Sequence, residues 1–322
     1  MAERKNAAPT FADAVTYDLG GPRTSELLKK LDNAIPWEKI AQPVRRLPEY
    51  RNTGAGRPTW SAVLMVKALM LAKWFNLSDP QLEECLQDRL SFRRFVGLSL
   101  QDATPDETSF VRFRQRLREA RLHEKIFRLV VEHLDGHGVL VKQGTLVDAT
   151  IVEAPKGVKR DDGTSTRDPD VTRTVKHGRQ YHGYKGHIAM DRSRVVTGWR
   201  FTTAKEHDGH SMDQLTQNEK VLVAGDSQYD SRARREAMKA RGLIPMIAYQ
   251  RRRGQKELLE WKQGWNLAVA TVRASVEHTF AMLKQHMGYR RTRYRGLDRN
   301  ATDFALTLTA LNMRRAVSLL DQ

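Results

Sequence analysis

Cysteine is almost missing from this chain. Cys85 stands alone among 322 residues, so neither an internal disulfide nor a Cys-x-x-Cys zinc site can form. Long hydrophobic runs are missing too: the most apolar stretch, 62–75, is interrupted by Lys67 and Lys73 and is too short to span a bilayer. The opening residues, MAERKNAAPTF, lack the apolar core of a secretory leader. These absences set the expectation of a cytoplasmic protein that does not enter a membrane. Aromatic residues make up only 7%, but 40% of the chain is hydrophobic, enough for one large domain or two ordinary ones. Acid is short relative to base, with 38 Asp and Glu against 55 Lys and Arg and a formal net charge of +17. Such an excess fits a polyanionic partner, because cations that neutralise phosphates release counterions and bind without regard to sequence. A charge kept for solubility is the plainer reading of the same number.

The first 20 or so residues show no periodicity, and from Thr24 to about Gly136 the pattern is helical. Thr59 is placed to cap a helix that buries one face through Val63, Val66, Leu69 and Met70. Ser78 with Gln81 forms a capping box. Thr104-Pro105-Asp106-Glu107 reads as a capped start with proline in the first turn. The helices of 78–118 suit a DNA-reading helix-turn-helix or a plain three-helix packing unit equally well. Past Gly144 the texture changes. Thr145–Val152 is β-branched and apolar, 155–179 is polar and reads as a loop, and strand-like runs follow at 184–191, 194–204, 221–225 and 243–248. Two long helices, about 265–287 and 299–320, close the chain. Three segments are therefore expected: a mobile tail 1–22, a helical DNA-binding or dimerisation domain 23–140, and a mixed α/β catalytic domain 141–322.

Two aspartates occupy costly or telling places. Asp148 lies between Val147 and Ala149 inside an apolar strand, with no basic residue within four positions. Asp226 follows 221–225 directly, at the carboxyl end of a strand, where ligand sites of α/β sheets gather. Either alone is as well explained by a carboxylate bonded to a turn. On the closing helix, Arg273, Glu277 and Lys284 fall on one polar stripe, since at 3.6 residues per turn their azimuths differ by roughly 20–40°. Alone, that stripe is an ordinary surface ion-pair ladder. Together, three carboxylates drawn from separate segments are what a pair of divalent ions needs to cut and join phosphodiesters. The histidines of His207-Asp-x-His210, with His182 and His187, match no trusted zinc spacing.

The order Asp148, Asp226, Glu277, Lys284 resembles the Asp-Asp-Glu transposases of bacterial insertion sequences, and within these the insertion-sequence-five group. Leu146-Val-Asp148-Ala-Thr-Ile is similar to the family's first catalytic strand, and Tyr181-His-Gly-Tyr-Lys-Gly-His187 to its second-strand block. Ala224-Gly-Asp226-Ser-Gln-Tyr229 is similar to the second catalytic strand and turn, and Arg273-x3-Glu277-x6-Lys284 to the signature helix. Pro105-Asp-Glu-Thr-Ser-Phe110 resembles a block of the N-terminal domain. The likeness runs over about residues 40–320. One departure stands out: the signature's tyrosine, three residues before the arginine, is Ala270 here, which leaves its DNA-flanking role to Trp265 or Tyr289.

The resemblance implies a ribonuclease-H-like catalytic domain, a mixed sheet flanked by helices, after an all-α N-terminal domain. It implies Asp148, Asp226 and Glu277 as catalytic groups and metal ligands, with Mg²⁺ as cofactor and Mn²⁺ able to substitute. The expected activity is two-metal-ion cleavage at terminal inverted repeats and strand transfer into target DNA. Two other classes stay open, a same-fold nuclease that cuts without joining and a catalytically silent DNA-binding repressor. The expected DNA contacts are Arg273 and Lys284; Lys185, His187 and Tyr229; Arg251, Arg252 and Arg253; and the aromatic-interleaved cluster Arg290, Arg291, Arg293 and Arg295. The expected partner is double-stranded DNA, bound by a homodimer because joining two ends in concert needs two active sites. The protein would then be nucleoid-associated when bound.

Overall fold

The structure, a computed structural model, describes residues 3–4, 23–51, 58–158, 161, 165–176, 178–251 and 254–320. The expected tail 1–22 lies outside them but for residues 3 and 4. Two compact units emerge: Met1–His137 together with Ala305–Gln322, and Gly138–Phe304. The sheet-bearing unit thus ends at Phe304, short of the expected 322, and residues 305–320 group with the helical one.

The helical unit holds α1 (Arg23–Ala34), α2 (Trp37–Ala41), α3 (Pro48–Arg51), α4 (Ala62–Trp74), α5 (Asp79–Asp88), α6 (Leu90–Val96), α7 (Glu107–Glu119) and α8 (Leu122–Gly136). α4 buries every residue except Val63, so it is a central helix rather than the one-faced helix expected. Its lysines did not mark an exposed side. The Lys67 ammonium meets Asp32 at 2.5 Å and lies over the rings of Trp37 and Phe95, 5.4 and 4.9 Å from their centroids. Nor does Thr59 cap α4: Ser61 precedes the helix, and the Thr59 hydroxyl donates to the Glu49 carbonyl. The Ser78–Gln81 box closes in both directions, as expected. α7 starts later than its Thr-Pro signal suggests. Asp106 is the cap, accepting from the Ser109 N–H at 2.7 Å and the Thr108 hydroxyl at 2.9 Å, more than a threonine oxygen at 104 could gather.

In the other unit, β1 (Thr145–Glu153) pairs antiparallel with β3 (Arg179–Met190), which pairs antiparallel with β4 (Val196–Thr203). On its other side β1 runs parallel to β5 (Leu222–Gly225), and β5 parallel to β6 (Ile244–Ile247). α9 (Asp208–Leu215), α10 (Arg232–Ala240), α11 (Glu260–Ala281) and the start of α12 (Leu297–Leu320) complete the mixed sheet-and-helix arrangement. The polar stretch expected to be a loop contains β2 (Thr172–Lys176), paired with the first part of β3. Its Thr-Arg-Thr-Val-Lys sequence is that of an edge strand, where charged side chains discourage pairing with another chain and disguise the β-branched residues. One sheet face carries the cluster Val147, Ala189, Met212, Val223, Tyr229, Met238, Leu243 and Ile247. On the other, Gly186 sits under the ring of Phe304, which also meets Phe201 and Tyr289 with centroids 5.3 and 5.4 Å away.

Candidate active site

The parallel pairing of β1 with β5 sets Thr145 beside Val223 and Leu146 beside Ala224, partners 78 residues apart. Asp148 and Asp226 are separated by the same 78 positions, so the register carried two residues further brings them abreast at the carboxyl end of β5. β5 stops where Asp226 turns the chain: its Oδ1 accepts the Gln228 N–H at 2.9 Å and opens a single 3₁₀ turn, Ser227–Tyr229. Gly225 permits the turn to pack, because a Cβ there would stand 2.4 Å from the Met212 methyl.

Asp148 is buried, and its charge is met from far along the chain. Its Oδ1 accepts the N–H of Ala149, and its Oδ2 accepts a bond of 2.8 Å from Arg273 Nη2, 125 residues away on α11. A charge-assisted bond of this kind offsets part of the cost of placing a carboxylate in an apolar strand. Burial pulls the Arg273 guanidinium's pKa down, but the fields of Asp148, Asp226 and Glu277 outweigh it and the net direction is up. One cation therefore feels all three acids picked out by the sequence. Glu277 itself, one helical turn beyond Arg273, is exposed.

With this geometry in hand, comparison with known proteins decides the family. The model of the family described as "Transposase DDE domain" matches residues 140–313, more than half of the chain, and that described as "Transposase domain (DUF772)" matches residues 20–116. The chain is a DDE transposase. A solved structure titled "Crystal structure of a pre-cleavage Mos1 transpososome" is 12% identical, over 93% of this chain and 98% of that one, with a TM-score of 0.20, a likeness too slight to build on. The sheet agrees with the ribonuclease-H-like expectation: antiparallel β4, β3 and β1, then parallel β5 and β6, flanked by helices.

DDE transposases generally use divalent metal ions. Among the described residues, no group of three His, Cys, Asp or Glu stands close enough to hold one ion. In this arrangement the transposase balances its acids with Arg273. Its donor set still fits a hard divalent cation, since all three side chains offer carboxylate oxygens from separate elements.

The other expected residues scatter. Lys284 lies in a π-helical turn, Met282–His286, so α-helical spacing does not set its azimuth relative to Glu277. Lys185 and His187 point to the sheet face opposite Asp148, because Asp148 pairs with Ile188 and neighbouring strand residues alternate. Lys185 is engaged by Asp208 at 2.8 Å and by the Glu206 carbonyl at 2.9 Å. His187 is fully buried, with Nε2 3.0 Å from the Thr202 hydroxyl, so as placed it cannot touch DNA. Tyr229 is buried as well and presents no surface to a duplex. Of the two residues expected to stand in for the tyrosine missing at Ala270, Trp265 is half-buried with Nε1 donating to the Ile247 carbonyl, and Tyr289 is a core residue bonded to the Asn300 carbonyl. Arg251, Arg290, Arg291, Arg293 and Arg295 are exposed, while Arg252 and Arg253 lie outside the described residues. Asp208, which the sequence offered only as a spacer between histidines, gave no signal of its pairing with Lys185, because it opens α9 and its partner sits on β3, 23 residues earlier.

Proposed function

We propose that this transposase cuts DNA at terminal inverted repeats and transfers the freed 3′ ends to target DNA, with Asp148, Asp226 and Glu277 holding two divalent ions, Mg²⁺ or in its place Mn²⁺. When bound, such ions polarise the scissile phosphodiester and acidify the attacking water. Asp148 supplies oxygens from within β1 and Asp226 from just past the end of the adjacent β5, and Glu277 completes the set from the exposed side of α11. Arg273 keeps the Asp148 carboxylate oriented. Lys284 and the exposed arginines 251, 290, 291, 293 and 295 bind backbone phosphates, which position the duplex without reading its sequence. A homodimer bridging two element ends, and membership of the insertion-sequence-five group, belong to the same reading.

The observation that carries this reading is the shared 78-residue offset, which aligns the two aspartates across paired strands, together with an arginine that senses both of them and Glu277. The test is a cleavage and joining assay on DNA carrying the element's ends, with Mg²⁺ or Mn²⁺. Asp226→Asn and Glu277→Gln are expected to lose at least about 10³-fold in cutting while still binding the ends, in line with other groups that stabilise a transition state electrostatically. Undiminished cutting by either variant would remove that residue from the active site. Cutting without joined products would make the enzyme a nuclease, and binding without cutting under every divalent ion would make it a repressor.

A further inference from the structure

Asp168-Pro-Asp170 belongs to the polar stretch that reads as a loop, yet its carboxylates reach far along the chain to the segment carrying the exposed arginines. Asp168 Oδ2 accepts the Gly296 N–H at 2.9 Å, and Asp170 Oδ2 accepts the Leu297 N–H at 2.8 Å, over separations of 128 and 127 residues. Asp168 is itself held from two sides. The hydroxyl of Tyr184, a fully buried residue of β3, donates to the same Oδ2 at 2.7 Å, and the Asp170 N–H donates to Oδ1 at 3.1 Å. Gly296 stands at φ +98°, a conformation that glycine adopts without strain. Two further anchors hold the same segment. Glu153 bonds the backbone of Arg290 and Thr292, and the fully buried Asn300 donates from Nδ2 to the carbonyls of Tyr294 and Gly296, both at 2.8 Å. Asp170 also serves the first turn of α12, whose leading amides have no partner inside the helix. Asp168, by contrast, serves the residue before that helix. Arg290, Arg291, Arg293 and Arg295 crowd four like charges into one short segment, and such charges repel one another. Without its anchors the segment would relax by spreading them apart.

We propose that Asp168 and Asp170 are positioning residues of the DNA interface: they hold the backbone of 290–297 so that its four arginines meet the phosphates already arrayed. The proposal rests on the reading of those arginines as DNA contacts. Its sign runs against simple electrostatics. Deleting an acid beside phosphate-binding cations raises the positive charge, which by itself tightens binding. Loosening the segment instead makes the complex bear the cost of ordering it, on the order of 3- to 10-fold in affinity.

The experiment is fluorescence anisotropy of a labelled duplex at about 50 mM salt, where phosphate contacts bind most tightly. It compares the full-length parent, Asp170→Ala, Asp170→Asn, and Asp168→Ala made together with Tyr184→Phe so that no buried hydroxyl is stranded. Each is repeated in a background with Arg290, Arg291, Arg293 and Arg295 changed to alanine, and thermal melts are recorded for all. Asp170→Ala and the Asp168→Ala pair are each expected to bind about 3- to 10-fold more weakly than the parent, despite their added positive charge. Asp170→Asn has the same net charge as Asp170→Ala but keeps an oxygen for the Leu297 N–H, so it is expected to bind at least as tightly as the parent. In the four-arginine background the aspartate substitutions are expected to change affinity by less than about twofold, because the groups they position are gone. A cap that only stabilises α12 would lower the melting temperature and leave the affinity alone. Parent-like or tighter binding by either alanine variant therefore removes that aspartate from the role. Equal weakening with and without the arginines overturns the proposal as well, since the effect would not run through them. If the four-arginine variant itself binds as the parent does, the reading of those arginines as DNA contacts falls, and the role of the two aspartates with it.

Discussion

At the scale of single residues, the site is a problem of buried charge, and two groups show opposite solutions. Asp148 meets a cation, its Oδ2 standing 2.8 Å from Arg273 Nη2. His187 gives its charge up: burial, opposed by Asp208 and reinforced by Lys185 and Arg200, lowers its pKa to about 4, against 6.5 ordinarily. The consequence for stability has a definite sign. Between pH 6.5 and 4 the unfolded chain protonates this histidine while the folded chain does not, so stability falls as pH drops through that window. Above it the contribution is complete, and below about 4 no further loss accrues. Urea midpoints taken at steps from pH 7.5 to 4 are expected to decline more steeply in the parent than in His187→Gln. Equal slopes would mean that the imidazole titrates normally. A histidine in a sequence gives no hint of this, because its burial depends on which way β3 alternates. That same alternation removed Lys185 and His187 from the face of Asp148, although the block containing them was recognisable.

At the scale of elements, what was legible depended on how local the cause was. β1 and β5 announce themselves by β-branched apolar runs, and the Ser78–Gln81 box needs only four residues. The positions of Asp148 and Asp226 at strand and strand end could therefore be read in advance. The Arg273–Asp148 bond could not, since it joins residues 125 apart. The all-round burial of α4 was hidden because Lys67 is compensated by Asp32 and two rings from other helices. The π turn at 282–286 departs from the period on which the Glu277–Lys284 stripe was reasoned. Gly186 in β3 looks like a weak point in a strand until Phe304 is seen above it: a Cβ there would stand 2.7 Å from the ring. Gly186→Ala is therefore expected to cost about 1–3 kcal/mol, the range for overpacking a filled core. Phe304→Leu in the same chain should recover part of that loss, readable as non-additivity in a double-mutant cycle of denaturation midpoints. Strict additivity would place the strain elsewhere.

For the whole molecule, the governing quantity is the formal charge of +17 and where it is spent. Many of its cations are engaged by the chain itself: Arg235 pairs with Asp230 and bonds two carbonyls, Arg241 reaches the carbonyls of Thr216 and Gln217, and Arg114 is held by Asp79. Those arginines brace structure and cannot also neutralise DNA without giving up their partners. The segment 290–295 differs. Its backbone is fastened to the end of β1, with the Glu153 N–H donating to the Arg290 carbonyl and the Thr292 N–H to the Glu153 carbonyl, while the side chains of Arg290, Arg291, Arg293 and Arg295 are exposed. In the proposed function these exposed cations on a fixed backbone would bind phosphates at little conformational cost. Each phosphate neutralised releases condensed counterions and contributes about 0.9 to the slope of log K against log salt. Replacing all four arginines by alanine is therefore expected to flatten that slope by roughly 3 to 4 on duplex DNA, and about equally for specific and unrelated sequences, because phosphate contacts carry no sequence information. The measurement is fluorescence anisotropy from 50 to 300 mM salt. A slope unchanged by the fourfold variant would move the DNA interface to another face, whereas a loss confined to the cognate ends would mean that this strip reads bases.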